Sequence, residues 1–122
     1  MDYRLEGKLA LVTGSTRGIG KATAELLRRE GAEIIIHGRT KESVEKAKRD
    51  LPTAHTVVGD FEDKSAIEKM IDEVRNIGIV DILVNNAGIF EPKPFAEITD
   101  ADWFKFFEVN VMSGVRLARA FL

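Results

Sequence analysis

The chain has 122 residues, of which 44% are hydrophobic and 31% are charged. This balance is typical of one soluble globular domain and is too apolar for a disordered chain. The formal net charge is −2, lysine and arginine form no basic stripe, and cysteine is absent, so a nucleic-acid partner, disulfides and cysteine-based metal or catalytic sites are excluded.

No export or membrane segment is visible in the sequence. Residues 1–6 carry alternating charges without an apolar core, unlike a signal peptide. The longest apolar stretch, residues 77–84, is interrupted by Asp81 and is too short to cross a bilayer. We therefore expect a cytoplasmic protein without a membrane partner.

Short apolar runs alternate with longer segments of helical period. The runs predict four buried strands, at residues 8–13, 33–37, 55–58 and 80–84. Helices are predicted to begin near Ile19, after the cap Thr40 and at Asp63. Repeated strand–helix units predict a doubly wound α/β fold, in which helices cover both faces of a parallel sheet.

The last part of the chain predicts two further helices. Thr99 and Asp102 form a capping box for the first, and helical spacing continues from about Val109 to the end. The first of these helices carries four aromatic side chains, for most of which core packing is predicted: Trp103, Phe104, Phe106 and Phe107. An aromatic side chain left exposed there could drive self-association.

A glycine-rich turn joins the first strand to the first helix. Its residues are Gly14, Ser15, Thr16, Arg17, Gly18, Ile19 and Gly20. Glycines here allow the backbone to approach a pyrophosphate, and the amides at the helix start can bind that anion. A tight turn without a ligand is the alternative interpretation.

The segment T-G-S-T-R-G-I-G resembles the opening motif of the short-chain dehydrogenase/reductase family, in its compact single-domain branch. Its G-x-x-x-G-x-G spacing differs from the commoner G-x-G-x-x-G fingerprint. Three further features match the family in order: Asp60 after the third strand, the N-N-A-G turn at residues 85–88, and Asn110 in a V-N-V context. The resemblance spans essentially the whole chain.

The resemblance implies a Rossmann-type sheet with its first four strands in the order 3-2-1-4. Residues 1–122 are then the amino-terminal part of one NAD(P)-binding domain, incomplete at the carboxyl end. It also implies a nucleotide site that includes Asp60 with its neighbour Phe61, and Asn86, Ala87 and Gly88 of the turn. Asn110 takes the place of a catalytic asparagine.

The end of the second strand indicates which nicotinamide cofactor is bound. An acidic residue there binds the adenosine 2′-hydroxyl of NAD, whereas arginine accepts the 2′-phosphate of NADP. Gly38 stands in the place of that acid, Arg39 follows it, and Arg17 lies in the glycine-rich turn. The pattern favours NADP over NAD, and the alternative is that Arg39 is only a solvated charge.

The resemblance implies hydride transfer between the nicotinamide and a carbonyl or alcohol of a small-molecule substrate, in a homo-oligomer paired through the helix that begins near Asn110. The family's proton donor is a tyrosine with a lysine four residues later. The only tyrosine is Tyr3, with Gly7 four residues later, and no Y-x-x-x-K is present. We therefore expect this chain alone to bind nucleotide without turnover. The alternative is a stand-alone nucleotide-binding or assembly module without redox activity.

The two histidines, His37 and His55, both lie in predicted strands without a second ligand at metal-binding spacing. We interpret them as structural and predict no metal site. The small acidic cluster at Asp60, Glu62 and Asp63 is better explained by helix capping and adenine contact.

Overall fold

The computed structural model describes residues 2–122. Its strands are β1 (Leu9–Val12), β2 (Glu33–Gly38), β3 (His55–Val58) and β4 (Ile82–Val84). Its α-helices are α1 (Gly18–Arg29), α2 (Lys41–Lys48), α3 (Lys64–Ile77), α4 (Asp100–Phe107) and α5 (Ser113–Phe121). A 3₁₀ turn (Phe95–Glu97) precedes α4, and a π-helical turn (Glu108–Met112) joins α4 to α5.

The four strands form one parallel sheet in the order β3-β2-β1-β4. The predicted strand order is therefore confirmed. Val12, the last residue of β1, pairs with Ile36 on one side and Val84 on the other. The chain thus builds the sheet outward from β1 in one direction and then returns to add β4 on the other side. Such a reversal creates a crevice outside the carboxyl ends of the strands.

Apolar side chains cover both faces of the sheet. Alternate residues of the strands point to opposite faces, so Leu11 and Ile35 pack with α3 and α5, whereas Val12 and Ile36 pack with α1 and α2. Each fully buried Leu, Ile or Val contributes about 1.5–3 kcal/mol to stability. The two-sided core confirms the doubly wound arrangement.

Helix starts follow their predicted caps. The Thr40 hydroxyl accepts from the Ser43 amide, and the Asp63 carboxylate accepts from the amides of Ser65 and Ala66. Thr99 and Asp102 form the predicted capping box. The amide of Ala66 holds the pKa of Asp63 below its ordinary value, because hydrogen bonds to a carboxylate favour its charged form.

Two predictions need correction. The fourth strand begins at Ile82 rather than at residue 80, because the Asp81 carboxylate accepts the hydrogen bond from the Leu9 amide that a main-chain carbonyl would otherwise accept. Core packing of the aromatic residues was also wrong: Trp103, Phe104 and Phe107 are 54%, 74% and 54% exposed. Their helix buries none of its residues, so they face outward over a surface that no described element covers.

Within residues 2–122, none of the helices combines the length and the apolar character needed to cross a bilayer.

Candidate functional site

A cleft of about 530 Å³ opens at the carboxyl edge of the sheet, where the topology places a ligand. Most of the predicted nucleotide-binding residues line it. These are Gly14, Thr16, Arg17, Gly38, Arg39, Asp60, Phe61, Ala87 and Gly88. Ser15, Gly18, Ile19, Gly20, Asn86 and Asn110 are not in its lining. The cleft is also lined by His37, Thr40, Ser43, Glu62, Ile89, Phe90, Glu91 and Val109.

The glycine-rich turn leaves the start of α1 open to an anion. Gly14 and Gly18 have φ values of +61° and +59°, a region that other residues enter only with strain. A Cβ added to Gly18 would meet no atom within 4 Å. Arg17 provides no side-chain cap, and the first turn of α1 has no acidic residue. The first amides of α1 therefore remain available for a pyrophosphate.

Two predicted residues support the turn from behind. A Cβ on Gly20 would lie 2.3 Å from the Gly14 carbonyl oxygen and 2.5 Å from Asn86 Nδ2. Ser15 is buried, and its Oγ accepts a 3.0 Å hydrogen bond from the His37 amide. Gly20 thus allows α1 to approach the turn closely, and Ser15 ties the turn to β2.

Thr13 joins the glycine-rich turn to the N-N-A-G turn. Its buried Oγ1 accepts hydrogen bonds from the amides of Asn86 (3.0 Å) and Ala87 (2.9 Å). Asn86 Nδ2 returns a 3.2 Å bond to the Gly14 carbonyl. Sequence reasoning noted Thr13 only as the residue before the turn, because its partners lie more than 70 residues away.

Replacing Thr13 with valine keeps the volume and removes the acceptor. We expect the free energy of unfolding to fall by about 1–3 kcal/mol, because the Ala87 amide loses its partner, whereas the Asn86 amide keeps a 3.1 Å bond to the Val84 carbonyl. Urea denaturation measures the change. Thr56→Val is the matched control: Thr56 lies half-buried in β3, and we expect its substitution to change stability by about 0.5 kcal/mol or less. Equal effects of the two substitutions would contradict the role given to Thr13.

His37 is an almost fully buried part of the cleft wall and contacts the segments that follow two neighbouring strands. Its Nδ1 accepts from the Gly14 amide at 2.9 Å, and its Nε2 lies 2.8 Å from the Gly59 carbonyl. The Phe61 ring packs against the imidazole with a centroid distance of 5.0 Å. Burial lowers the pKa of His37 below its ordinary value. His55, in contrast, is partly exposed and lies 3.6 Å from the Glu33 carboxylate.

Two arginines without acidic partners stand at the rim of the cleft. Arg17 and Arg39 are exposed, and neither forms an ion pair with any of residues 2–122. Gly38, between them in the cleft wall, is tightly packed: a Cβ there would lie 2.6 Å from Thr16 Cγ2 and 2.7 Å from Ser43 Oγ. The end of β2 therefore presents positive charge to the cleft, and any side chain at position 38 would require Thr16 and Ser43 to shift.

Asp60 and Phe61 form the opposite wall. Asp60 Oδ1 accepts a 2.9 Å bond from the Glu62 amide, which orients the carboxylate at the end of β3. Phe61 is buried beneath it. Across residues 2–122, no three His, Asp or Glu side chains are grouped so that they could hold a metal ion.

Asn110 lies in the π-helical turn and holds the loop that follows N-N-A-G. Its Oδ1 accepts from the Ile89 amide at 2.7 Å, and its Nδ2 donates to the Ile89 carbonyl at 3.1 Å. It therefore bonds a distant backbone segment rather than its own helix. A carboxamide oxygen has two lone pairs and its nitrogen has two N–H groups. Oδ1 of this exposed side chain can therefore accept one more hydrogen bond, and Nδ2 can donate one more.

Known proteins resemble this chain along its whole length. The family model for short chain dehydrogenases matches residues 8–122. The uncharacterized oxidoreductase YvrD of Bacillus subtilis (strain 168) is 47% identical over 125 aligned residues, covering 100% of this chain and 48% of the relative. The chain thus spans about half the length of the curated relatives it matches.

Solved structures agree with these sequence matches. L-sorbose reductase from Gluconobacter frateurii, complexed with NADPH and L-sorbose, superposes with a TM-score of 0.92 at 36% identity, over 99% of this chain and 48% of that one. A gluconate 5-dehydrogenase from Burkholderia cenocepacia J2315, in complex with NADP and tartrate, superposes with a TM-score of 0.88 at 35% identity. The match covers 98% of this chain and 49% of that one.

Proposed function

The chain belongs to the short-chain dehydrogenase family, and we therefore propose that residues 1–122 are the amino-terminal part of one NADPH-binding Rossmann domain in an oxidoreductase. The observation that carries the proposal is the cleft at the carboxyl edge of the sheet. Arg17, which directly precedes the uncapped start of α1, lines this cleft together with Arg39. This arrangement suits a pyrophosphate and a second phosphate group.

The preference for NADP over NAD has two independent supports. Two guanidinium groups stand at the rim, and the end of β2 carries no acidic residue, since Gly38 occupies that position against Thr16 and Ser43. Among the structural relatives, L-sorbose reductase and gluconate 5-dehydrogenase hold NADPH and NADP. An arginine beside the adenosine ribose stabilises a 2′-phosphate by paired charged hydrogen bonds.

Each part of the chain has a distinct role in this proposal. The amides of the glycine-rich turn would hold the pyrophosphate, Asp60 and Phe61 would contact the adenine, and the N-N-A-G turn would contact the remainder of the cofactor. A bound nicotinamide cofactor would supply hydride transfer to or from a carbonyl or alcohol carbon of a small molecule. Asn110 is proposed as a member of the catalytic set. Its spare hydrogen-bond positions suit a water near the proton donor.

Self-association is part of the same proposal. The exposed aromatic side chains of α4, together with Val111 and Val115, form an apolar surface on the helices that follow the cleft. Contiguous exposed apolar surface commonly marks a protein interface. A homo-oligomer paired through these helices is consistent with it.

Isothermal titration calorimetry tests the nucleotide part. We expect one NADPH to bind per chain, with an affinity at least about tenfold above that of NADH, since a charged hydrogen bond contributes about 1.5–3 kcal/mol. We also expect no NADPH oxidation by residues 1–122 with small carbonyl compounds. Failure to bind either nucleotide would contradict the proposal, and turnover would show that the missing Y-x-x-x-K is not needed.

The alternative is a nucleotide-binding or assembly module without redox activity. The intact mass of the gene product distinguishes the two. A product about twice this length that contains the tyrosine–lysine pair supports the oxidoreductase. A product of 122 residues that binds NADPH without turnover supports the module.

A further inference from the structure

Three strand ends meet at the imidazole of His37. Its Nδ1 accepts from the amide of Gly14, two residues after β1, and its Nε2 donates to the carbonyl of Gly59, directly after β3. Its own amide and carbonyl, in β2, bond to Ser15 Oγ and to the Ser15 amide, both at 3.0 Å. The ring is 1% exposed. The side chain of His37 therefore links the glycine-rich turn to β2, on which it lies, and to the end of β3.

Only one protonation state satisfies these contacts. The Gly14 amide is a donor, so Nδ1 must present its lone pair, and the Gly59 carbonyl is an acceptor, so Nε2 must carry the hydrogen. An imidazolium has a hydrogen on both nitrogens. Protonation of Nδ1 would therefore place its N–H against the N–H of Gly14, so that two donors face each other. Gly14 is held at a φ of +61°.

We propose that neutral His37 is a positioning residue of the nucleotide site, and that its protonation displaces the glycine-rich turn at Gly14 and weakens nucleotide binding. This inference rests on the proposed function. His37 does not reach the ligand in this role. It acts through the backbone of Gly14, from which the turn leads into the amides at the start of α1.

The charged groups around His37 set the pH range. Burial lowers its pKa below 6.5, whereas the Gly59 hydrogen bond and the Asp60 carboxylate oppose that shift. The other charged side chains that line the cleft are Arg17, Arg39, Glu62 and Glu91. Because the folded pKa lies below the unfolded one, the neutral state dominates above pH 6.5. The fraction of folded protein with neutral His37, and with it the affinity for nucleotide, falls as the pH drops through this lowered pKa.

The test measures the affinity for NAD⁺ by calorimetry from pH 8 down to about pH 5. NAD⁺ is the probe because it lacks the 2′-phosphate, whose own second pKa near 6 would confuse the profile. We expect affinity to fall by up to about tenfold per pH unit below the pKa of His37. An affinity that rises on acidification, as simple attraction between imidazolium and pyrophosphate would give, overturns the proposal.

Two substitutions separate the contacts of the ring. Asparagine at position 37 places an acceptor near Nδ1 and does not titrate, whereas glutamine places its amide near Nε2 and loses the Gly14 contact. We expect His37→Asn to bind NAD⁺ about five- to tenfold more tightly than His37→Gln at pH 8, and the affinity of both variants to stay flat across the pH range in which the wild-type affinity changes. His55→Asn is the control and should retain the wild-type profile. Equal affinities for the Asn and Gln variants overturn the proposal.

A measurement on the wild-type protein keeps the test decisive if the variants fail to fold. Nitrogen-15 NMR should show Nε2 protonated and Nδ1 bare at pH 8, with the Gly14 amide losing its protection from exchange as His37 titrates. Protection that persists through the titration overturns the proposal. If the Gly14 amide responds but no nucleotide binds at any pH, the contact is real and both the nucleotide role and the proposed function fail.

Discussion

Gly20→Ala is expected to abolish nucleotide binding and to lower the free energy of unfolding by about 1–3 kcal/mol, the usual range for overpacking a dense site. The new Cβ would lie 2.3 Å from the Gly14 carbonyl oxygen, a main-chain atom that cannot rotate away. Helix α1 must therefore move off the turn. Its shift would also displace Asn86 Nδ2 and break the 3.2 Å bond to Gly14.

Calorimetry with NADPH and urea denaturation together check this result. Gly7→Ala is the matched control, because Gly7 has a φ of +78° and open space around its Cβ position. We expect that control to lose about 1–2 kcal/mol through backbone strain and to bind NADPH normally. If Gly20→Ala binds NADPH within about threefold of wild type, the close approach of α1 is not what shapes the site.

Arg39→Asp is expected to lower the ratio of the NADH to the NADPH dissociation constant by about 10- to 100-fold. The substitution removes a charged hydrogen-bond donor worth about 1.5–3 kcal/mol and places a carboxylate where a 2′-phosphate would lie. Arg39 is exposed, so the measurement belongs at low ionic strength, where screening is weakest.

Lys41→Asp is the control for the change of charge. Its ammonium group is solvated and 3.9 Å from Glu45, two residues beyond Arg39 in the chain. We expect it to weaken both nucleotides slightly and to leave their ratio within about twofold. A ratio unaltered by Arg39→Asp would remove Arg39 from the site. Gly38→Asp is a less direct test than Arg39→Asp, because its Cβ would also force the Thr16 and Ser43 side chains to shift.

Features that depend on neighbouring residues were predictable from the sequence, whereas features that depend on distant residues were not. Helix caps at Thr40, Asp63 and Thr99 were predictable because cap and partner amides lie within three residues of each other. The roles of Thr13 and Asn110 were not, since their hydrogen bonds cross 21 to 74 residues of chain. The aromatic residues of α4 were misjudged because hydrophobicity alone does not say which surface a neighbouring element covers.

The sequence by itself determined the four strands, their helices and the place of the glycine-rich turn, and the family resemblance implied the strand order 3-2-1-4. Apolar periodicity, helix caps and glycine spacing each involve residues that are close in sequence. The rules for connecting strands and helices then leave few possible topologies. Only the tertiary structure decided that His37 contacts both Gly14 and Gly59, that Gly38 lies against Thr16 and Ser43, and that Gly20 supports the turn. Each depends on atoms from distant segments brought within about 3 Å of each other, the contact range in which a hydrogen bond or a steric clash is settled.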